Sequence, residues 1–284
     1  MPRVGIIGGS GLYEMEGLED RAWTRVDTPF GEPSDALLTG RIDGVEVAFV
    51  PRHGRGYPLL PSEVPYAANI HALKQLGCEW VVSVSAVGSL RGDIPPGHMV
   101  TVDQYIDRTR GRRGTFFGEG AVAHVSFGDP VCDLLRSWLY EAACAAGVSV
   151  HPKGTYVCIE GPTFSTRAES ELFRRWGCDV VGMTNLPEAR LAREAGMSYA
   201  SLAMSTDYDC WHRGHEEVSV ESVIAVIQAN VANARQVVRR VVERIGREAR
   251  PSPYRDALRY AVITAPEAMS PEARERLSLL LGEH

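Results

Sequence analysis

An apolar run, Tyr199-Ala200-Ser201-Leu202-Ala203-Met204, leads directly into Ser205-Thr206-Asp207-Tyr208-Asp209-Cys210-Trp211. Side chains of a strand alternate between faces, so an extended reading puts Asp207 and Asp209 on one side and Tyr208 on the other. Two neighbouring carboxylates repel, which drives at least one of them to keep a proton above its ordinary range. A paired carboxyl in a dry cleft can donate a proton, accept N–H groups, or both. Adenine asks for both: a proton at N7 as it leaves, and an acceptor for its N6 amino group. The same pattern also fits a solvated Asp-x-Asp turn, so the surrounding chain must decide.

Other residues with chemical potential recur directly after short apolar runs: Ser10, Arg52-His53, Ser85 and Met183-Thr184. Hydroxyls, a planar guanidinium and the amides of Gly-rich turns suit a tetrahedral anion. In open α/β sheets ligands collect outside the carboxyl ends of strands, where these residues stand. Gly8-Gly9-Ser10-Gly11 is not a dinucleotide fingerprint, because a G-x-G-x-x-G reading from Gly9 meets Glu14, and no P-loop occurs.

The elements that must position these groups alternate. Strands are expected at 3–7, 45–50, 80–85, 155–160 and 179–183. Helices are expected over 61–77 with Ser62 as cap, and from an Asp129-Pro130 start to Gly147. Further helices are expected from a Thr166…Glu169 capping box to Gly177 and over 186–196. The longest, about 219–246, carries Val220, Val223, Ile224, Ile227, Val231, Ala234, Val238, Val241, Val242 and Ile245 along one apolar face. Beyond Pro251-Ser252-Pro253 two modest helices are expected, the second opened by Ser270-Pro271. The fold class is α/β: a single domain over 1–250 with a mixed central sheet flanked by helices, and a helical C-terminal tail over 251–284.

Composition bounds the partners. The 284 residues, 44% hydrophobic and 23% charged, describe a globular chain with ample core. A formal charge of −6 argues against nucleic acid, and the basic cluster Arg108-Thr109-Arg110-Gly111-Arg112-Arg113 reads as a solvated loop. No apolar run is long enough for a membrane span, and Met1-Pro2-Arg3 enters a strand instead of a leader, so a cytoplasmic location is expected. Six scattered cysteines contain no C-x-x-C and read as small buried hydrophobes; no metal site is expected.

Taken in order, the segments Ile6-Ile7-Gly8-Gly9-Ser10-Gly11-Leu12, Asp27-Thr28-Pro29-Phe30-Gly31-x-Pro33-Ser34, Arg52-His53-Gly54, Ala86-Val87-Gly88-Ser89-Leu90, Ile159-Glu160-Gly161-Pro162-x-Phe164-Ser165, Gly182-Met183-Thr184-x-x-Pro187-Glu188 and Thr206-Asp207-Tyr208-Asp209-Cys210-Trp211 are more specific than any one of them. The series resembles the trimeric purine nucleoside phosphorylases, most closely the branch acting on 5′-methylthioadenosine, over roughly residues 3 to 245. Members taking 6-oxopurines typically place an Asn at the base site; Asp207 and Asp209 match the 6-aminopurine branch.

The resemblance implies that Ser10, Arg52, His53, Ser85 with the Ala86 amide, and Thr184 bind phosphate. It implies Met183 against the ribose, Phe164 and Ser165 flanking the base, and Asp207 and Asp209 on adenine. Val220 and Ile224 would wall the 5′-methylthio group, and His124 would reach a neighbouring subunit's site, hence a homotrimer. Ser10 and Ser85 stand where relatives often carry Thr, which keeps the hydroxyl. The implied reaction is phosphorolysis to adenine and 5-methylthioribose 1-phosphate, with phosphate as co-substrate and no cofactor. A phosphorylase of 6-oxopurine nucleosides and a nucleoside hydrolase are the alternatives, separated by the base released and by the need for phosphate.

Overall fold

The computed structural model describes residues 3–9, 11–212 and 220–282. Its strands are β1 (Arg3–Gly8), β2 (Leu18–Thr24), β3 (Leu37–Ile42), β4 (Val45–Pro51), β5 (Cys78–Ser89), β6 (Met99–Thr101), β7 (Gln104–Arg108), β8 (Val150–His151), β9 (Thr155–Ile159), β10 (Val180–Gly182) and β11 (Ser198–Asp207). The helices are α1 (Tyr66–Gln75), α2 (Asp133–Ala145), α3 (Arg167–Arg175), α4 (Asn185–Glu194), α5 (Val220–Glu248) and α6 (Pro271–Leu281).

One mixed sheet runs β2-β3-β4-β1-β5-β10-β9-β7, and it branches at β5. Along one edge β5 pairs in parallel with β1; along the other it pairs in parallel with β11 and, at its far end, antiparallel with β10. Being paired to its last residue, β5 continues through Ser89 instead of ending near residue 85. β11 in turn carries β6, which carries β8.

The sheet is covered on both faces, as parallel strands require. α2 and α5 cover one face, where Val237, Val238, Val241, Val242 and Ile245 meet Val4, Ile6, Trp80 and Val82. The other face receives α1, α4 and α6, with Ile70, Leu73, Leu191, Ala273 and Leu277 against Ile7 and Val81. Each of these side chains is nearly inaccessible, so each Val, Leu and Ile contributes roughly 1.5–3 kcal/mol of burial relative to exposure.

Several boundaries differ from expectation. α1 begins after Pro65, not after Ser62, because a proline disfavours helical backbone in the residue before it. α2 begins at Asp133 with Cys132 as cap, not at Asp129. The 126–132 segment is instead tied down by tertiary bonds: Arg193 donates to Ser126 O and Asp129 O, and Cys132 N donates to Tyr199 O. The α3 capping box forms as expected between Thr166 and Glu169. In the tail only the second expected helix is α-helical; turns and a short 3₁₀ segment at Pro266–Ala268 replace the first. The tail packs on the domain, with Ser198 Oγ and Ser252 Oγ 2.9 Å apart.

Candidate active site

The ends of β4, β5, β10 and β11 bring the chemically active side chains to one end of the sheet. Arg52 follows β4 and is buried. Its Nε donates to Glu188 Oε1 at 2.5 Å, and its two terminal nitrogens donate to Glu188 Oε2, Ser83 Oγ and Val84 O. Four of the five N–H groups of a guanidinium are thus committed, leaving one on Nη1. Burial alone would lower the Arg52 pKa, but the Glu188 carboxylate outweighs it and holds the guanidinium firmly charged.

Glu188 sits one turn into α4 and also accepts from Ser83 Oγ and Tyr199 OH, while Asn185 donates to Ser83, Tyr199 and Ser201. This polar network joins β5, α4 and β11 beneath the strand ends. Beside it Thr184 caps α4, whose first-turn N–H groups and dipole favour an anion. Ser85 Oγ is buried with no partner, and Ala86 follows it half-buried. His53 stacks on Tyr57 with ring centroids 4.1 Å apart, and its Nδ1 lies 2.9 Å from Leu59 O. Burial, reinforced by the Arg52 charge, holds His53 down at about 4.

The carboxyl pair is built differently from the strand alternation expected. β11 ends at Asp207 after a register shift between Ser205 and Asp207, and Asp209 opens a 3₁₀ turn at φ 50°. The backbone turns so that Asp209 N donates to Asp207 Oδ1 at 2.7 Å, and Thr206 Oγ1 donates to Asp207 Oδ2 at 2.7 Å. The carboxylates converge through this turn. It is anchored on the side away from the strand: Trp211 Nε1 donates to Ser89 O, and Arg174 lies over the Trp211 ring at 3.7 Å.

Burial raises the Asp207 pKa, opposed by the Thr206 hydroxyl and the Asp209 amide. Burial pushes Asp209 further, up to about 6, with the neighbouring Ser170 hydroxyl opposing and the Asp207 charge reinforcing. Asp209 Oδ2, Ser165 Oγ and Ser170 Oγ are all buried without hydrogen-bond partners. The two serine hydroxyls both lower the Asp209 pKa, so they stand beside its carboxyl and share with it a buried polar cluster at the end of β11. Gly88 makes room for the pair: a Cβ there would stand 2.9 Å from Asp207 Oδ1 and 3.3 Å from Asp209 Cβ.

Met183 follows β10 directly, and Phe164 lies in the segment between β9 and α3. Gly161, at φ 68°, lets Met183 approach; a Cβ there would meet its Sδ at 2.5 Å. Phe164 is 43% exposed, an apolar ring open to solvent. Ser85 and Gly88 stand three residues apart on β5, roughly 10 Å at strand rise, about the length of a nucleoside. An anion cradle and a carboxyl pair at that separation can hold a phosphate and a purine on opposite sides of one sugar.

A family model described as the phosphorylase superfamily matches residues 3–243. The chain belongs to that superfamily. It is 57% identical over 282 residues to the S-methyl-5′-thioadenosine phosphorylase of Geobacter sulfurreducens, covering 99% of this chain and 98% of that protein. Against the protein of the same name from Synechocystis sp. it is 54% identical, covering 99% and 87%. The crystal structure of a methylthioadenosine phosphorylase from an antarctic soil metagenomic library superimposes with TM-score 0.94 at 50% identity, covering 98% of each chain. The Schistosoma mansoni methylthioadenosine phosphorylase in complex with adenine gives 0.83 at 40% identity, covering 87% and 92%.

For this phosphorylase-superfamily chain, four expected site residues are not brought to the cluster by any contact among the described residues. Ser10 and the side chain of Val220 lie outside the described residues. Ile224 is 46% exposed on α5. His124 is also exposed, its N–H donating to Ala261 O of the tail.

Other residues were not singled out from the sequence. Glu188 falls within a quoted motif, and only its place four residues after Thr184 on a helix could have suggested a role. Arg112 corrects the solvated-loop reading of the basic cluster: its side chain is 3% exposed and donates to Met183 O, Glu160 O and Tyr66 OH. No sequence signal separates it from Arg110 or Arg113. Ser170, facing Asp209 from the first turn of α3, has only its distance from the capping box to betray it.

Proposed function

We propose that this chain catalyses phosphorolysis of 5′-methylthioadenosine to adenine and 5-methylthioribose 1-phosphate. The observation that carries the reading is the buried Asp207–Asp209 pair, whose pKa values are both raised by burial, together with the Arg52, His53, Ser85 and Thr184 cluster at neighbouring strand ends. The names of the relatives support it. Asp207 delivers a proton to N7 as the glycosidic bond breaks, and Asp209 orients it and accepts from N6; the pair titrates as a unit, not as two independent groups. Phosphate stabilises the cationic sugar and attacks the anomeric carbon from the opposite face. Ser10 and the Ala86 amide complete the anion cradle, Met183 lies under the ribose, Phe164 and Ser165 flank the base, and Val220 and Ile224 wall the 5′ group. The reaction as written uses no metal ion and no organic cofactor.

The protomer is proposed to act as a homotrimer in the cytoplasm. His124 sits on an exposed bridge between Ala123 and Val262 whose outer side chains include Val122, Ile263 and Tyr260, 46%, 65% and 86% exposed. That apolar surface is suited to a second copy. All six cysteines are unpaired, as a reducing compartment favours.

The test is incubation with methylthioadenosine with and without phosphate, with product analysis and light scattering on the same preparation. Adenine is expected only when phosphate is present, from particles of three protomers. Hypoxanthine released preferentially from methylthioinosine, or adenine released in water alone, would overturn the substrate or the reaction. An active monomer would remove the trimer.

A further inference from the structure

Proton bookkeeping in this reaction leaves one group unassigned. Hydrogenphosphate carries one O–H, the sugar 1-phosphate dianion carries none, and the departing purine gains one N–H. An acceptor is therefore needed beside phosphate as well as a donor beside the base. The Ser85 and Thr184 hydroxyls and the Arg52 guanidinium are donors, not bases, near neutral pH. Glu188 is a base, but Arg52 occupies Oε1, while Arg52, Ser83 and Tyr199 all donate to Oε2.

His53 is differently disposed. Leu59 O can only accept, so the imidazole nitrogen 2.9 Å away, Nδ1, carries the ring hydrogen. That leaves a lone pair on Nε2, for which no hydrogen bond is formed among the described residues. The stack on Tyr57 fixes the ring plane.

We propose that His53 Nε2 accepts the proton that phosphate loses as it bonds to the anomeric carbon. The proposal rests on the phosphorolytic reading and on phosphate lying at Arg52 and Thr184. In the step, the phosphate O–H breaks and its proton moves to Nε2 while a P–O–C bond forms at the anomeric carbon. The C–N bond to the purine breaks with its electron pair passing to the base, and the proton from the aspartate pair goes to N7. Charge and atoms balance; after release His53 gives its proton to solvent and the aspartate pair takes one back.

The charged and titratable groups around the ring support this cycle. Burial first, then Arg52 and more weakly Arg112, disfavour the imidazolium, while Glu188 and the Leu59 carbonyl favour it. The ring consequently meets phosphate neutral. An anion placed beside it favours the charged form, so basicity rises when the co-substrate is bound. Tyr57, stacked on the ring, has its own pKa raised by burial and stays neutral.

The experiment compares His53→Gln and His53→Asn with the unaltered chain. Gln keeps a hydrogen-bonding group near the Nε2 position, and Asn keeps the donor to Leu59 O; neither is a base. In both, kcat is expected to fall about 10²-fold or more, with His53→Gln leaving the KM for phosphate little changed. The acid limb of kcat against pH, present in the unaltered chain because a protonated His53 cannot accept, is expected to vanish. A loss confined to phosphate KM, or an acid limb that survives in both variants, would show that His53 only binds. If the unaltered chain proves indifferent to phosphate, the phosphorolytic reading falls as well; a phosphate-dependent enzyme with normal variants removes His53 alone.

Discussion

Replacing Asp207 with alanine is expected to lower kcat for methylthioadenosine by about 10²–10⁴-fold, the range a positioned proton donor supplies. The loss should appear equally in kcat and kcat/KM, because the interaction develops as charge gathers on the purine in the transition state. Asp207→Asn keeps an N–H for N7 but has no proton to give, so it should remain slow on adenine nucleosides. The same amide can pair with both N7 and O6 of a 6-oxopurine, so activity on methylthioinosine relative to methylthioadenosine should rise. Asp209→Asn should cost less and weaken discrimination between the two bases.

The pH dependence has a defined sign. Burial raises both carboxyls, and Asp209 reaches about 6; the proton that the pair needs for catalysis is therefore held at lower pH and lost as pH rises. kcat/KM, which reports the free enzyme, should therefore decline on the alkaline side with a midpoint near the pair's pKa. Stability follows the same direction: a carboxyl raised above its unfolded value contributes most below the unfolded pKa, and that contribution disappears as pH rises through the folded one. Near wild-type rates in all three variants would mean that Asp207-Tyr208-Asp209 is a turn without catalytic work.

The second large effect is on the fold. Arg52→Ala removes the partner of a buried carboxylate, and uncompensated buried charges of this kind cost about 3–5 kcal/mol. Arg52 and Glu188 are 4% and 2% exposed and 2.5 Å apart, so solvent screens the pair little. Arg52→Ala is therefore expected to lower the urea midpoint substantially, in addition to raising the phosphate requirement. Adding Glu188→Ala should recover part of the loss, because the orphaned charge goes with it. Measured as a double-mutant cycle, the two substitutions should be clearly non-additive. Strict additivity would mean that the pair is not energetically coupled, and Arg52 could then be read purely as a phosphate ligand.

Local residue pattern announces part of this molecule, and long-range packing decides the rest. The strand–helix alternation and the Thr166–Glu169 capping box follow from local pattern, because hydrophobic period and capping chemistry act over a few residues; the mixed sheet is what the family resemblance implied. Pattern did not reveal β2, β3, β6, β7 and β8, although the apolar Leu37, Leu38 and Ile42 of β3 were there to be read. β2 is almost wholly polar outside Leu18 and Trp23, and β8 has two residues; both exist because a neighbour supplies the other half of the ladder.

At the site, the types and order of Arg52, His53, Ser85, Thr184, Asp207 and Asp209 were legible in the sequence, since each follows an apolar run directly. Their division of labour was not. Only contacts across 136 positions of chain reveal that Arg52 spends most of its donors on Glu188. Likewise only the turn after β11 brings Asp209 back onto Asp207, where strand alternation had supplied the right pairing for the wrong geometric reason. Arg112 in a basic run and Ser170 on a helix become candidates for the site solely through burial, which a sequence does not encode locally. Residue chemistry set what could happen; long-range packing decided which groups are desolvated, which are already occupied, and which remain free to meet a ligand.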